Sequence, residues 1–206
     1  MPGDSIIENR DYTLIIDKSA SMATSDDTNG KTRWEIAQGS TYALAQKCEE
    51  INPDGITVYV FSGCFKRYDN VTSNKVTKIY EENEPMGQTN LATVLQNGLD
   101  NYFKRKATGV AKPNGETFLV FTDGEPTDRK AVIQVIIEAS QKIDRGEELA
   151  ISLIQVGHDT KATAFFKALD DKLDKVGAKF DIVNTVKLDD MKNMSLNDVL
   201  LNAIID

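Results

Sequence analysis

Tyr12-Thr13-Leu14-Ile15-Ile16 is apolar or β-branched throughout and stops abruptly at Asp17, followed by Lys18-Ser19-Ala20-Ser21. A run with no polar–apolar alternation reads as a strand buried on both faces, the habit of a parallel sheet covered by helices. Phe118–Phe121 has the same form and stops at Thr122-Asp123-Gly124, while Ile56–Phe61 and Ala150–Val156 are further strands. Between these runs the apolar residues recur every three to four positions. Ile36, Leu44, Cys48 and Ile51 form one such stripe, and Leu91, Leu95, Leu99, Tyr102 and Phe103 a second. Val132, Ile136, Ala139 and Ile143 form a third, and Ala162, Phe165, Phe166, Leu169 and Leu173 a fourth. That period predicts helices, the first closed by the turn residues Asn52-Pro53-Asp54-Gly55. Tyr68–Tyr80 reads as a weaker strand at a sheet edge, and Phe180–Val183 as the final strand. Ser195–Ile205 reads as a closing helix with Asp198 three residues after Ser195. The alternation predicts one doubly wound α/β domain over residues 11–206, behind a tail of residues 1–10. Its sheet is mostly parallel, with one antiparallel edge strand and helices on both faces.

Composition narrows the function classes. Of 206 residues, 32 are Asp or Glu and 24 are Lys or Arg, a net charge of −8 that argues against a nucleic-acid partner. An apolar fraction of 40% suffices for a sizeable core and argues against disorder. Cys48 and Cys64 are too few for a disulfide scaffold or a cysteine zinc site. The start lacks a secretory pattern, and no run approaches the ~18 apolar residues of a membrane span. The expectation is a soluble cytoplasmic protein without a membrane partner.

In an open α/β sheet, ligands bind beyond the carboxyl ends of the strands where strand order reverses. Three segments fall at that rim: Asp17-Lys18-Ser19-Ala20-Ser21, Thr122-Asp123-Gly124 and, opening a helix, Gly87-Gln88-Thr89-Asn90-Leu91. Together they offer the carboxylates of Asp17 and Asp123 and the hydroxyls of Ser19, Ser21 and Thr89. Oxygen-only donors suit a hard cation, Mg2+ or else Mn2+ or Ca2+, rather than zinc. Two carboxylates only balance a divalent charge. Such an ion stays electrophilic, keeps a water-filled position, and can receive an external carboxylate there.

The pattern D-x-S-x-S, G-x-T-x-L, T-D-G resembles the metal-ion-dependent adhesion site (MIDAS) of von Willebrand factor type A (VWA) domains. The stretch from Gln155 to Asp181 is also similar to stand-alone bacterial A domains associated with tellurium-resistance and stress gene clusters. The resemblance implies a Rossmann-like VWA fold and a non-enzymatic interaction module whose Mg2+ captures an Asp or Glu of a partner protein. Ser19, Ser21 and Thr89 would then be hydroxyl ligands, with Asp17 and Asp123 acting mainly through coordinated water. Ala20 stands where many relatives have Gly, between ligands rather than as one. Gln88 and Glu125 fall on the rim that would meet the partner.

The main rival is a Mg2+-dependent phosphatase or phosphoryl-transfer enzyme on the same rim. Against it, Ser19 stands where a D-x-D phosphatase loop has its second Asp, and no Gly-rich Lys-containing phosphate loop appears. The remaining residues have plainer readings. His158 is a loop or cap residue about 10 Å from the site, given a strand spacing of ~4.8 Å. Lys104-Arg105-Lys106 is a solvated helix end, Asp128 or Thr127 a helix cap, and both cysteines inert thiols. Trp34 packs, and Arg33 lies on the surface.

Overall fold

The computed structural model describes residues 4–26 and 28–205. Its six-stranded sheet consists of β1 (Asp11–Asp17), β2 (Ile56–Phe61), β3 (Phe65–Val71), β4 (Glu116–Thr122), β5 (Leu149–Gln155) and β6 (Val183–Lys187). The spatial order is β3-β2-β1-β4-β5-β6, all parallel except β3, which pairs antiparallel with β2. The mostly parallel doubly wound sheet with an antiparallel edge strand is therefore observed. Strand order reverses between β1 and β4, so the crevice expected from the sequence opens at Asp17 and Thr122.

The helices are α1 (Asp4–Ile7), α2 (Arg33–Ile51), α3 (Ser73–Glu81), α4 (Leu91–Ala107), α5 (Arg129–Gln141), α6 (Thr160–Lys172), α7 (Leu188–Met191) and α8 (Leu196–Ile205). Because successive strand residues face opposite ways, each strand feeds two cores. Leu14 and Ile16 of β1 join Val58, Val60, Leu119 and Phe121 under α2, α3 and α8. Ile15 joins Tyr59, Phe61, Phe118 and Val120 under α4, α5 and α6. At roughly 25 cal/mol per Å2 of apolar area removed from water, these two layers supply the main stabilisation of the fold.

Three sequence expectations shift. Tyr68–Tyr80 was expected as one strand; it contains the end of β3 and then α3. Val76, Ile79 and Tyr80 are buried at helical spacing, with the Tyr80 ring 4.3 Å from Trp34. The last strand lies at Val183–Lys187 rather than Phe180–Val183, pairing Val183 with Ile151 and Lys187 with Gln155. It is a half-exposed edge strand, so it lacks the apolar run that marks the central ones. Residues 1–10 were read as a tail; α1 falls there and packs on α8, with Ile7 buried.

The pole opposite the crevice is ionic. Arg10 is fully buried, donating to Thr117 Oγ1 at 2.6 Å and to the Glu147 carbonyl at 2.7 Å. Arg105 bridges Asp11 and buried Glu116, while Lys106 holds Glu148 at 2.6 Å. Arg105 and Lys106 are thus partly buried ion-pair partners, not the solvated helix end expected from sequence. Burial pushes the Glu116 carboxyl up to about 7 despite the opposing Arg105 charge.

Gly115 enters β4 beside this cluster at φ +85°, and a Cβ there would fall 1.8 Å from the Glu148 carbonyl oxygen. Gly109 also has a positive φ, +72°, but open space around it. We expect Gly115→Ala to lower the urea midpoint severely or prevent folding. Gly109→Ala should cost about 1 kcal/mol, the backbone effect alone. Equal losses in paired urea titrations would show that the close approach to Glu148 is not what demands glycine.

Candidate functional site

β1 delivers Asp17 to the crevice floor, where its side chain is fully buried. Its two oxygens are used separately. Oδ1 accepts from the Ser19 backbone N–H at 2.6 Å, and Oδ2 accepts from the Thr122 hydroxyl at 2.7 Å. The first contact bends the chain out of β1 into a 3-10 turn, Ala20–Ala23, anchored by fully buried Met22. The second ties the ends of β1 and β4 together.

The turn carries the serines to the same point. Ser19 Oγ and Ser21 Oγ lie 3.1 Å apart, and Ser21 Oγ donates to Asp123 Oδ1 at 2.8 Å. Asp123, immediately after β4, is also fully buried. Asp17, Ser19, Ser21 and Asp123 are therefore one hydrogen-bonded cluster across the β1–β4 crevice.

Thr89 approaches on a second loop. Ala20 N–H donates to the Gly87 carbonyl at 3.0 Å, and Met86 N–H to that of Lys18 at 2.6 Å, joining the two loops. Gly87 allows this at φ +83°, where a Cβ would sit 3.3 Å from Ser62 Oγ. Thr89 itself exchanges bonds with Thr127: the Thr127 N–H reaches its carbonyl at 2.9 Å, and its own N–H reaches Thr127 Oγ1 at 3.2 Å. Asn90 then caps α4 by accepting from Thr93 N–H. Gln88 is exposed and Glu125 half-buried, the latter paired with Arg129. Asp128 caps α5 through Ala131 N–H, as its sequence position suggests.

Sequence reading missed two contributors. Thr122 orients Asp17, a role hidden because its only local signal is membership of the T-D-G run. Arg33, expected on the surface, donates from Nη1 to Asp123 Oδ2 at 2.8 Å and pairs through Nε with Asp26. Against the lowering effect of burial, those hydrogen bonds raise the guanidinium pKa above its ordinary value. A signal existed. Arg33 is the first residue of α2, opened by the Thr32–Glu35 capping box, and a cation is unfavourable at that end of a helix dipole. Such a residue needs a carboxylate nearby. His158, by contrast, is exposed and sits 3.6 Å from Asp189.

Among the described residues, no three His, Cys, Asp or Glu side chains gather at one point. The cluster is instead two carboxylates with neighbouring hydroxyls, and oxygen donors of that kind fit a hard divalent cation.

Fold and rim define an α/β domain built to present a polar site at its switch point. Residues 12–126 match the family model of the von Willebrand factor type A domain, more than half the chain, and the protein belongs to that family. Domains of this family are generally protein-interaction modules rather than enzymes. No curated protein sequence matches. Among solved structures, the chain is similar to a mutant PilB minor pilin from Streptococcus sanguinis, with a TM-score of 0.62 and 16% identity over 94% of this chain and 60% of that one. It is similar to manganese-loaded TRAP protein from Plasmodium vivax, with a TM-score of 0.59 and 15% identity over 95% of this chain and 74% of that one. A third is the pilus adhesin SpaC from Lactobacillus rhamnosus GG, with a TM-score of 0.63 and 12% identity over 96% of this chain and 30% of that one. At such identities the likeness shows the fold alone. The chain spans less than two thirds of both pilus proteins.

Burial pushes the Asp17 carboxyl up to about 6, opposed by the hydrogen bonds from Ser19 and Thr122 and reinforced by Asp123. The folded protein thus holds this proton more tightly than the unfolded chain does. The stability it contributes is complete below the unfolded value of 3.8 and is lost as pH rises through about 6. The loss amounts to about 3 kcal/mol. In EDTA, Asp17→Asn should remove this dependence, because its amide can still accept from Ser19 and donate to Thr122. Urea unfolding at pH 5 and pH 8 would then show the variant gaining on the wild type at the higher pH. A constant difference between the two would sink this account of Asp17.

Proposed function

We propose that this chain is a metal-dependent protein-interaction domain. Asp17, Ser19, Ser21, Thr89 and Asp123 would hold Mg2+, with Mn2+ or Ca2+ as alternatives, and the rim would capture an Asp or Glu of a partner protein. The observation that carries the reading is the hydrogen-bonded cluster of two fully buried carboxylates and two serine hydroxyls across the crevice. Arg33 brings a single positive charge to two fully buried carboxylates, burying the second without a cation is costly, and this arrangement sits where the fold places ligands.

Each residue has a distinct task. Thr122 and the Ser19 N–H fix the Asp17 carboxylate. Asp123 and Ser21 hold each other from opposite sides of the crevice. Among the described residues no hydrogen bond engages the Thr89 hydroxyl, which leaves it available as a donor atom. A hard divalent ion would supply an electrophilic position whose water a carboxylate can replace. Gln88 and Glu125 border the approach. The manganese in the Plasmodium relative supports divalent binding within the fold family.

No described helix is long and apolar enough to cross a membrane. The exposed free thiol of Cys64 suits a reducing compartment, which supports a cytoplasmic setting. The likeness of Gln155–Asp181 to stand-alone bacterial A domains of tellurium-resistance clusters is the finer part of the same reading.

Titration of EDTA-stripped protein with Mg2+ and Mn2+ should show saturable binding. It should add about 2.7 kcal/mol of stability at a free metal concentration about 100 times Kd. Asp17→Ala and Thr89→Ala should weaken the metal by at least about tenfold, and abolish metal-dependent capture of partners from source-cell lysate. Capture that survives both EDTA and these substitutions rules the mechanism out.

A further inference from the structure

Arg33 has no part in the metal reading, yet it occupies the same carboxylate. Its Nη1 lies 2.8 Å from Asp123 Oδ2, and Asp123 is fully buried while the Arg33 side chain is only 15% exposed. Several features hold it there. Asp26 binds the guanidinium from the other side through Nε. The Arg33 N–H donates to the Thr24 carbonyl at 2.9 Å, and Ser25 bridges to Thr32, closing the loop that carries Asp26. Gly157, after β5, leaves the space: a Cβ there would fall 2.8 Å from Arg33 Nε and 3.0 Å from Asp26 Oδ2. Placing a cation at the start of α2 works against the helix dipole, and fixing a long flexible side chain costs entropy. Both costs are offset by the contacts with Asp123 and Asp26.

We infer that Arg33 is a resident competitor for the cation, an inference that rests on the metal reading above. Its single positive charge compensates Asp123. A divalent ion entering the cluster meets the two carboxylates already partly neutralised, and meets a like charge held against one of them. Metal affinity is therefore set low, and metal uptake draws Asp123 away from Arg33. Because Arg33 is shared with Asp26, that exchange is felt at Asp26 as well. The site would respond to changes in metal concentration instead of holding its ion permanently.

The test is Mn2+ binding by the full chain after EDTA treatment, followed by electron paramagnetic resonance, for wild type, Arg33→Gln and Arg33→Lys. Arg33→Gln should bind at least about tenfold more tightly than wild type. Arg33→Lys keeps the charge but cannot span Asp123 and Asp26 as the guanidinium does, so its affinity should fall between those of wild type and Arg33→Gln. If wild type binds Mn2+ and Arg33→Gln binds equally or more weakly, the competition is overturned and the metal reading stands. If none of the three binds millimolar Mn2+, both fall. Should Arg33→Gln not fold, the wild-type Arg33 Nε–H signal, assigned by its loss in Arg33→Lys, decides instead. It should shift on saturation with Mg2+, and an unmoved signal overturns the proposal.

Discussion

Two carboxylates with no solvent exposure stand side by side where β1 and β4 end, and the rim is organised around making that tolerable. An unpaired buried carboxylate would cost several kcal/mol. Asp17 is satisfied by a backbone N–H two residues on and by Thr122 from the neighbouring strand. Asp123 is satisfied by Ser21 from the facing loop and by Arg33 from α2. Each contact also fixes a backbone path, so the requirement to compensate charge is what shapes the loops.

The sheet beneath confines polar chemistry to its ends. Between the poles the central strands are apolar on both faces, and the two helical layers exclude water from them. The far pole carries its own ionic cluster of Arg10, Arg105, Glu116 and Lys106, with partners present for each charge. That cluster pins the strand starts, while the carboxylates organise the strand ends. Both sets rely on neighbouring strands being in register, Asp11 with Glu116 and Ile16 with Phe121.

Legibility in the sequence followed burial. β1 and β4 are central strands whose interiors are apolar or β-branched, and β5 departs from this inside only at Ser152, so the run pattern placed all three. β6 is half exposed, so its pattern was blurred and its start misplaced by three residues. α3 was read with β3 because a short helix leaves few periods to count, and Val76, Ile79 and Tyr80 also suit a strand. The cluster of Asp17, Ser19, Ser21 and Asp123 was foreseeable because strand ends at a switch point converge, and family resemblance pointed to the same residues. Arg33 was not. Its place at the start of a helix signalled a need for a carboxylate, but the partner lies 90 residues away in sequence, so local reasoning could not name it. Arg105 and Lys106 were misjudged for the same reason, since the carboxylates that hold them come from β1, β4 and the turn before β5.

The alternation along β1 has a consequence for how such a protein can change over generations. Leu14 and Ile16 feed one core, Ile15 the other, and the next residue is the Asp17 that floors the crevice. Inserting or deleting a single residue in β1 would exchange the two sets of core side chains and withdraw Asp17 from its place in the same stroke. Drift in strand length therefore cannot erode the rim while sparing the fold. The freedom to diverge lies in exposed stretches away from both cores, such as residues 28–30, so lineages would be expected to differ there while the strand remains frozen.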